Sequence, residues 1–170
     1  MKNIVLLGFM GTGKSVVGKR LARELGAKFV NTDDLIEERE GLTINDIFAR
    51  SGEPYFREVE AAVVREVAGR QGSVISTGGG VVLNEENLAA LRAGGVLFCL
   101  NATPEEIYAR TRRHAHRPLL QVPDPVAKIR ELLAARAPLY AKADHQIDTN
   151  GKTAGVVAKE IIALLQQKKR

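Results

Sequence analysis

A chain of 170 residues with 45% apolar side chains is long enough to bury one sizeable core and too short for two comfortable ones, so a single domain spanning residues 1–170 is expected. Its 25 Lys and Arg against 20 Asp and Glu leave a formal charge of +5, which favours nucleotide phosphates, carboxylate metabolites or nucleic acid as partners without choosing among them. The one cysteine, Cys99 in VLFCL, excludes an internal disulfide and reads as a packed hydrophobe.

In chain order, Met1, Lys2 and Asn3 lead straight into an apolar, strand-like run. No signal-peptide pattern is present, and no run approaches the roughly 18 residues of a membrane helix, so a cytoplasmic protein that binds no membrane is expected. The strand IVLLG is followed by a helical pattern over 15–25, the strand KFVN by further helices, and SVIS by a helix over 85–93. GVLFCL precedes a helix over 105–111, and HQID one over 154–167. Such alternation predicts an α/β fold, a parallel sheet covered by helices. Helix starts are marked by Thr103, with Pro104 and Glu106 behind it, and by Thr43 with Asp46. The stretch 112–125, RRHAHRPLLQVPDP, has two readings, a mobile cationic lid or an ordinary surface loop. No function is assigned to His114 or His116 within it, and Lys168, Lys169 and Arg170 read as a solvated tail.

The strongest chemical signal follows the first strand. Gly8, Gly13, Lys14 and Ser15 match GxxxxGK[ST] between a strand and a helix, the context this phosphate-binding motif requires. Glycines let backbone N–H groups turn toward phosphate oxygens, and the helix start adds its positive dipole end. Gly11, Thr12, Gly13, Lys14, Ser15 and Val16 are therefore the candidate ATP-binding segment. Lys14 is expected to bridge the β and γ phosphates, and Ser15 to place its hydroxyl on one Mg2+. A second GKT, Gly151 to Thr153, has Gln146 where the motif needs glycine and no strand leading directly in, so it is set aside. No NKxD guanine-recognition sequence occurs, which leaves adenine as the default base.

Three further constellations fall where loops should follow strands, and a fourth near a helix end. Asn31-Thr32-Asp33-Asp34 offers Asp33 either to an acceptor hydroxyl or metal, or as the cap of the next helix. In GEPYFREVE, Arg57 and Glu60 are three apart and share a helix face. They form either a surface pair or an arginine fork oriented for a planar carboxylate. Ser76-Thr77-Gly78-Gly79-Gly80 holds more glycine than a plain turn needs, which points to close backbone approach by a ligand. ARAPLY carries Arg136 near the end of a helical pattern.

Taken in order, GxxGxGKS, TDxxIE, GExxFRxxE, the GGG loop, RPLL and RxPLY resemble the shikimate kinase family over nearly the whole chain. The resemblance implies a P-loop, nucleoside-monophosphate-kinase-like three-layer sandwich with a five-stranded parallel sheet. It also implies transfer of the γ-phosphate of ATP to the 3-hydroxyl of shikimate, on the way to chorismate and the aromatic amino acids, by a monomer that uses Mg2+. By resemblance, Asp33 contacts the acceptor hydroxyl, Arg57 and Arg136 hold the shikimate carboxylate, and Gly78, Gly79 and Gly80 line the ring. Arg117 is then the lid arginine that closes on ATP, and with Lys14 and Asp33 completes the catalytic set. Arg110 lies beside the adenine, and residues 33–62 form the substrate-binding helical region. One position departs from the family pattern: Asn31 stands where its first aspartate helps to hold magnesium, with Asp34 as an alternative ligand. The competing readings are a gluconate-type or nucleotide kinase and a nucleotide-dependent or nucleic-acid-binding module. The latter is disfavoured by 5% aromatic content and the absence of Trp.

Overall fold

Residues 1–113 and 121–168 are described in this computed structural model. Their order is β1 (Asn3–Leu7), α1 (Lys14–Leu25), β2 (Lys28–Asn31), α2 (Thr32–Glu40), α3 (Ile44–Ala68), β3 (Ser73–Ser76), a short 3-10 turn (Val81–Leu83), α4 (Glu85–Gly94), β4 (Gly95–Asn101), α5 (Pro104–Thr111), α6 (Pro125–Tyr140), β5 (His145–Asp148) and α7 (Ala154–Gln167). The five strands form one all-parallel sheet in the order β2-β3-β1-β4-β5. In register, Ile4 lies between Val74 and Val96.

Side chains alternate across a strand, so the sheet supplies two cores. Val5, Leu7, Ile75, Leu97 and Cys99 face α2 to α6, whereas Ile4, Leu6, Val74, Phe98 and Leu100 face α1 and α7. The result is the three-layer sandwich. Burial pushes the Cys99 thiol up to about 11, so it remains an unreactive, packed group at neutral pH.

β1 is the switch point of the sheet, because the chain moves from it to one side through β2 and β3 and later returns to its other side with β4. Loops leaving the carboxyl ends of β1 and β3 diverge there and open a crevice. The chain punctuation agrees with this frame. Thr43 and Thr103 cap α3 and α5 as the sequence predicts, accepting from the Asp46 and Glu106 amides at 3.1 and 3.3 Å. The reciprocal half of the Thr103 box does not form: the Glu106 carboxylate accepts from Arg110, and the Thr103 amide donates to Asn150. Thr153, in the discarded GKT, is the cap of α7.

Helix α3 is broken at Gly52, whose φ of 80° and ψ of 168° no helix contains. Pro54 then lies in the first turn of the second half, where a missing N–H costs nothing. That second half carries Arg57 and Glu60.

Candidate active site

The phosphate loop joins Leu7 to α1. Gly13 has φ +98°, a conformation open to glycine, and it turns the chain into α1 without supplying a side-chain cap. Each of α2 to α7 does have one, from Asn31, Thr43, Asn84, Thr103, Asp124 and Thr153 respectively. The first amides of α1 therefore have no partner of the kind the other helices use, and a helix start in that condition suits an anion. Thr12 is buried and donates to the Phe9 carbonyl at 2.8 Å. The Lys14 ammonium donates to the carbonyls of Gly8 and Phe9, which lays the side chain along the loop. Ser15 Oγ accepts from Asn31 Nδ2 at 3.1 Å, and Val16 stands exposed at the mouth. Arg110 bonds to the Gly11 carbonyl at 3.3 Å and to Thr149 at 3.1 and 2.7 Å, tying the loop to the turn after β5.

Across the crevice, the capping reading of Asp33 is corrected. Asn31 is the cap of α2, its Oδ1 accepting from the Asp33 and Asp34 amides at 2.9 and 3.3 Å. Asp33 thus keeps its carboxylate for the crevice, where a Cβ on Gly78 would lie 2.8 Å from its Oδ1. Asp34 is exposed and does not line the cavity, so the structure does not support it as a substitute metal ligand.

The surface-pair reading of Arg57 is also corrected. Its Nη1 donates to Glu60 Oε1 at 2.9 Å, and the Glu60 side chain is 1% exposed. Burial pushes the Glu60 carboxyl above the usual glutamate range, opposed by the Arg57 guanidinium and reinforced by the Asp33 charge. A Cβ on Gly80 would lie 2.5 Å from both terminal nitrogens of Arg57. None of Gly78, Gly79 and Gly80 has a positive φ. Gly78 and Gly80 make room first for the chain's own Asp33 and Arg57, which modifies the expectation that the loop serves a ligand's approach.

Arg136 lies over the Phe9 ring, 5.6 Å from its centroid. Its Nη1 is 3.6 Å from where a Gly79 Cβ would stand. One turn on, the buried Tyr140 hydroxyl donates to the Gly79 carbonyl at 2.7 Å. Phe9 and Tyr140 were not among the sequence-predicted site residues. Tyr140 is four residues after Arg136 and shares its helix face, a spacing that flags it, but its partner on a distant loop has no sequence signature.

A cavity of about 210 Å³ lies between the phosphate loop and the Asp33 side, lined by Gly11, Gly13, Lys14, Ser15 and Val16 and by Asn31, Asp33, Gly78 and Gly79; Arg57, Gly80 and Arg136 stand next to it without lining it. A larger hollow of about 620 Å³ lies at the opposite edge of the sheet, between Met1, Arg65, Arg70 and Gly94. It contains none of the phosphate-loop residues, so the smaller cavity is the candidate active site. Among the described residues no three His, Cys, Asp or Glu side chains gather as a metal cage. Mg2+ bound mainly through phosphate and water needs none, and the Ser15 hydroxyl beside a carboxamide is a donor set compatible with it. Arg117 and the central part of the 112–125 stretch, the candidate lid, lie outside the described residues.

Strand order, phosphate loop and the cavity beside it define an ATP-dependent small-molecule kinase of the P-loop, nucleoside-monophosphate-kinase-like class. The family model described as "Shikimate kinase" matches residues 10–166. A shikimate kinase of Thermodesulfovibrio yellowstonii is 49% identical over 162 residues, covering 95% of this chain and 94% of its own. The structure of the Acinetobacter baumannii shikimate kinase in complex with shikimate is 40% identical with a TM-score of 0.95, covering 99% of this chain and 95% of that one. A gluconokinase from Sinorhizobium meliloti shares the fold alone, at 18% identity and a TM-score of 0.62 with 98% and 92% coverage. The chain belongs to the shikimate kinase family.

Proposed function

We propose that this chain transfers the γ-phosphate of ATP to the 3-hydroxyl of shikimate, giving shikimate 3-phosphate and ADP for chorismate and aromatic amino acid synthesis. The observation that carries the reading is α1, alone among the α-helices of the described residues in having no side-chain cap, opening onto the same cavity as Asp33 and the glycine loop. A bound polyphosphate would accept from the amides of Gly13 to Val16, and Lys14 would exchange its carbonyl partners for β and γ oxygens. Ser15, beside Asn31, would hold Mg2+, which when bound would supply neutralising charge to the phosphates.

Asp33 accepts the acceptor hydroxyl and aims it in line with the transferred phosphorus. A loose transition state asks more for position than for early proton removal, so this aiming is its main contribution. Arg57, oriented by Glu60, and Arg136 hold the acceptor's carboxylate, with Gly79 and Gly80 against the ring. Arg110 borders the base side through Gly11 and Thr149, and Arg117 is assigned the closing contact on ATP. Every assigned residue comes from one chain, so a monomer suffices, and a cytoplasmic setting fits an ATP-dependent enzyme. No helix among the described residues is long and apolar enough to cross a membrane.

The test is Mg2+-dependent ADP release with shikimate, gluconate, a nucleoside monophosphate panel and no acceptor. Turnover with shikimate, well above the others, is the expected result. Preference for gluconate or a nucleotide would overturn the roles of Arg57 and Arg136, and binding without turnover of any acceptor would revive the binding-module reading.

A further inference from the structure

Tyr140 is used by none of the roles above, yet it joins three parts of the acceptor site. Its side chain is buried, 5% exposed, at the last turn of α6. The hydroxyl donates to the Gly79 carbonyl at 2.7 Å, and the Arg136 guanidinium, one turn earlier on the same face, lies beside the phenol oxygen. At its other end the Tyr140 carbonyl accepts from Gln146 Nε2 at 2.8 Å, so β5 fixes the residue from below. Burial pushes the phenol above its ordinary value, against the opposing effect of Arg136. The hydroxyl therefore keeps its proton and remains a donor at neutral pH.

We infer that Tyr140 is a positioning residue that sets the distance between Arg136 on α6 and the Gly79–Gly80 loop, and so the width of the carboxylate-binding end of the acceptor site. The inference rests on the proposed shikimate reading. Arg57 is already held by Glu60 and is confined by the backbone of Gly80. Among the described residues Arg136 makes no close salt bridge: it feels the Glu60 charge without touching it and rests on the Phe9 ring, a flat contact that by itself does not fix the guanidinium in the ring plane. A phenol oxygen that donates to Gly79 and faces Arg136 removes that freedom. It also accounts for a tyrosine at this buried position, where phenylalanine would fill the same volume without a polar atom to satisfy.

Shikimate's carboxylate is distant from the reacting hydroxyl and is held alike in ground and transition states. Losing its alignment should therefore raise KM for shikimate and leave kcat unchanged. In Tyr140→Phe, shikimate KM and the calorimetric Kd for shikimate should both rise about threefold to tenfold, the range of one buried hydrogen bond. KM for ATP, ATP hydrolysis without acceptor, and melting temperature should stay close to wild type. Tyr140→Leu, which also removes the ring, should lower melting temperature as well, separating packing from position.

Shikimate parameters unchanged in Tyr140→Phe would overturn the inference. So would an equal rise in ATP and shikimate KM accompanied by a lower melting temperature, because that pattern reports general loosening. A wild-type chain that turns over gluconate or a nucleotide instead of shikimate would overturn the proposed function and this inference with it; active wild type with an indistinguishable Tyr140→Phe overturns the inference alone.

Discussion

The two walls of the cavity are built on different plans. The phosphate wall is one stretch of chain, residues 8–16, whose working groups are mostly backbone amides placed by a glycine turn and an uncapped helix. The proposed acceptor wall presents Asp33 from α2 and Gly78 and Gly79 from the loop after β3 to the cavity, with Arg57 and Glu60 from the second half of α3 and Arg136 from α6 packed against that glycine loop. Its proposed working groups are side chains, Arg57 held by Glu53 and Glu60 of its own helix and Arg136 resting on Phe9 from another element. A contiguous backbone site is suited to the phosphates shared by all nucleotide substrates. A wall assembled from several segments can adapt to one acceptor at a time by changing one segment.

Lys14→Ala tests the first plan and should have the largest effect. It removes a buried positive charge at the start of α1; if Lys14 meets the developing phosphate charge as proposed, kcat should fall by about a thousandfold or more. Because this wall serves any acceptor, slow ATP hydrolysis by water should fall in parallel with shikimate phosphorylation. Steady-state assays of both reactions check this, and hydrolysis at the wild-type rate would contradict it.

Gly80→Ala tests the second plan. Alanine accepts the backbone angles of residue 80, φ −95° and ψ 4°, so the substitution acts through its methyl group, which would stand 2.5 Å from the Arg57 terminal nitrogens. Arg57 must move away from both the glycine loop and Glu60. Loss of a charge-assisted contact is worth about 1.5–3 kcal/mol, so KM for shikimate should rise roughly tenfold to hundredfold. KM for ATP should hold. A parallel change in both would show that the walls are not separable.

These plans also explain what could be read from the chain. The phosphate loop was legible because its requirements are local: glycines where the backbone turns, Lys14 and Ser15 at fixed offsets, and an apolar strand in front. Strands β3 and β5 were likewise bounded by their own composition. By contrast, the Asp33 cap and carboxylate readings could not be separated in sequence, since Asn31 and Asp33 are both good capping residues and only the fold shows which one turns inward. The burial of Glu60 depends on α3 breaking at Gly52 and on packing against the glycine loop, neither of which the three-residue spacing from Arg57 encodes. Tyr140 and Phe9 look like core residues in any hydrophobic pattern, and they are core residues; their second role depends on which loop crosses above them.

A smaller effect concerns the buried anion behind Arg57. The folded chain holds Glu60 with its pKa raised, burial being the main cause. Below the ordinary glutamate range the group is protonated in folded and unfolded chains alike, and it adds no pH dependence to stability. As pH rises from there toward the raised folded value, the unfolded chain loses the proton first, so folding becomes less favourable; above both values that penalty stays constant. Glu60→Gln removes the titration. The melting temperature of the variant minus that of wild type should therefore increase as pH rises through this acidic window and then level off. Parallel melting curves for the two proteins across the window would mean that Glu60 is not perturbed.

The smallest expected effect is at Asn31, where the two walls meet. Its Oδ1 caps α2 in place of Asp33, while its Nδ2 donates to the Ser15 hydroxyl oxygen, the atom proposed to face magnesium. A donor on that oxygen occupies a lone pair that a cation would use. In Asn31→Asp, one carboxylate oxygen can continue to cap α2, while the other accepts the Ser15 O–H, turning the hydroxyl lone pairs outward and adding a negative charge near the ion. The Mg2+ concentration for half-maximal rate should fall by about twofold to tenfold, corresponding to one screened charge interaction. KM for shikimate should change little, because the cap that orients Asp33 is retained. A rise in the Mg2+ requirement would show that the Asn31 amide itself supports the metal's water shell. A rise in shikimate KM would show that the cap was lost and that the two walls share this residue more tightly than their separate plans suggest.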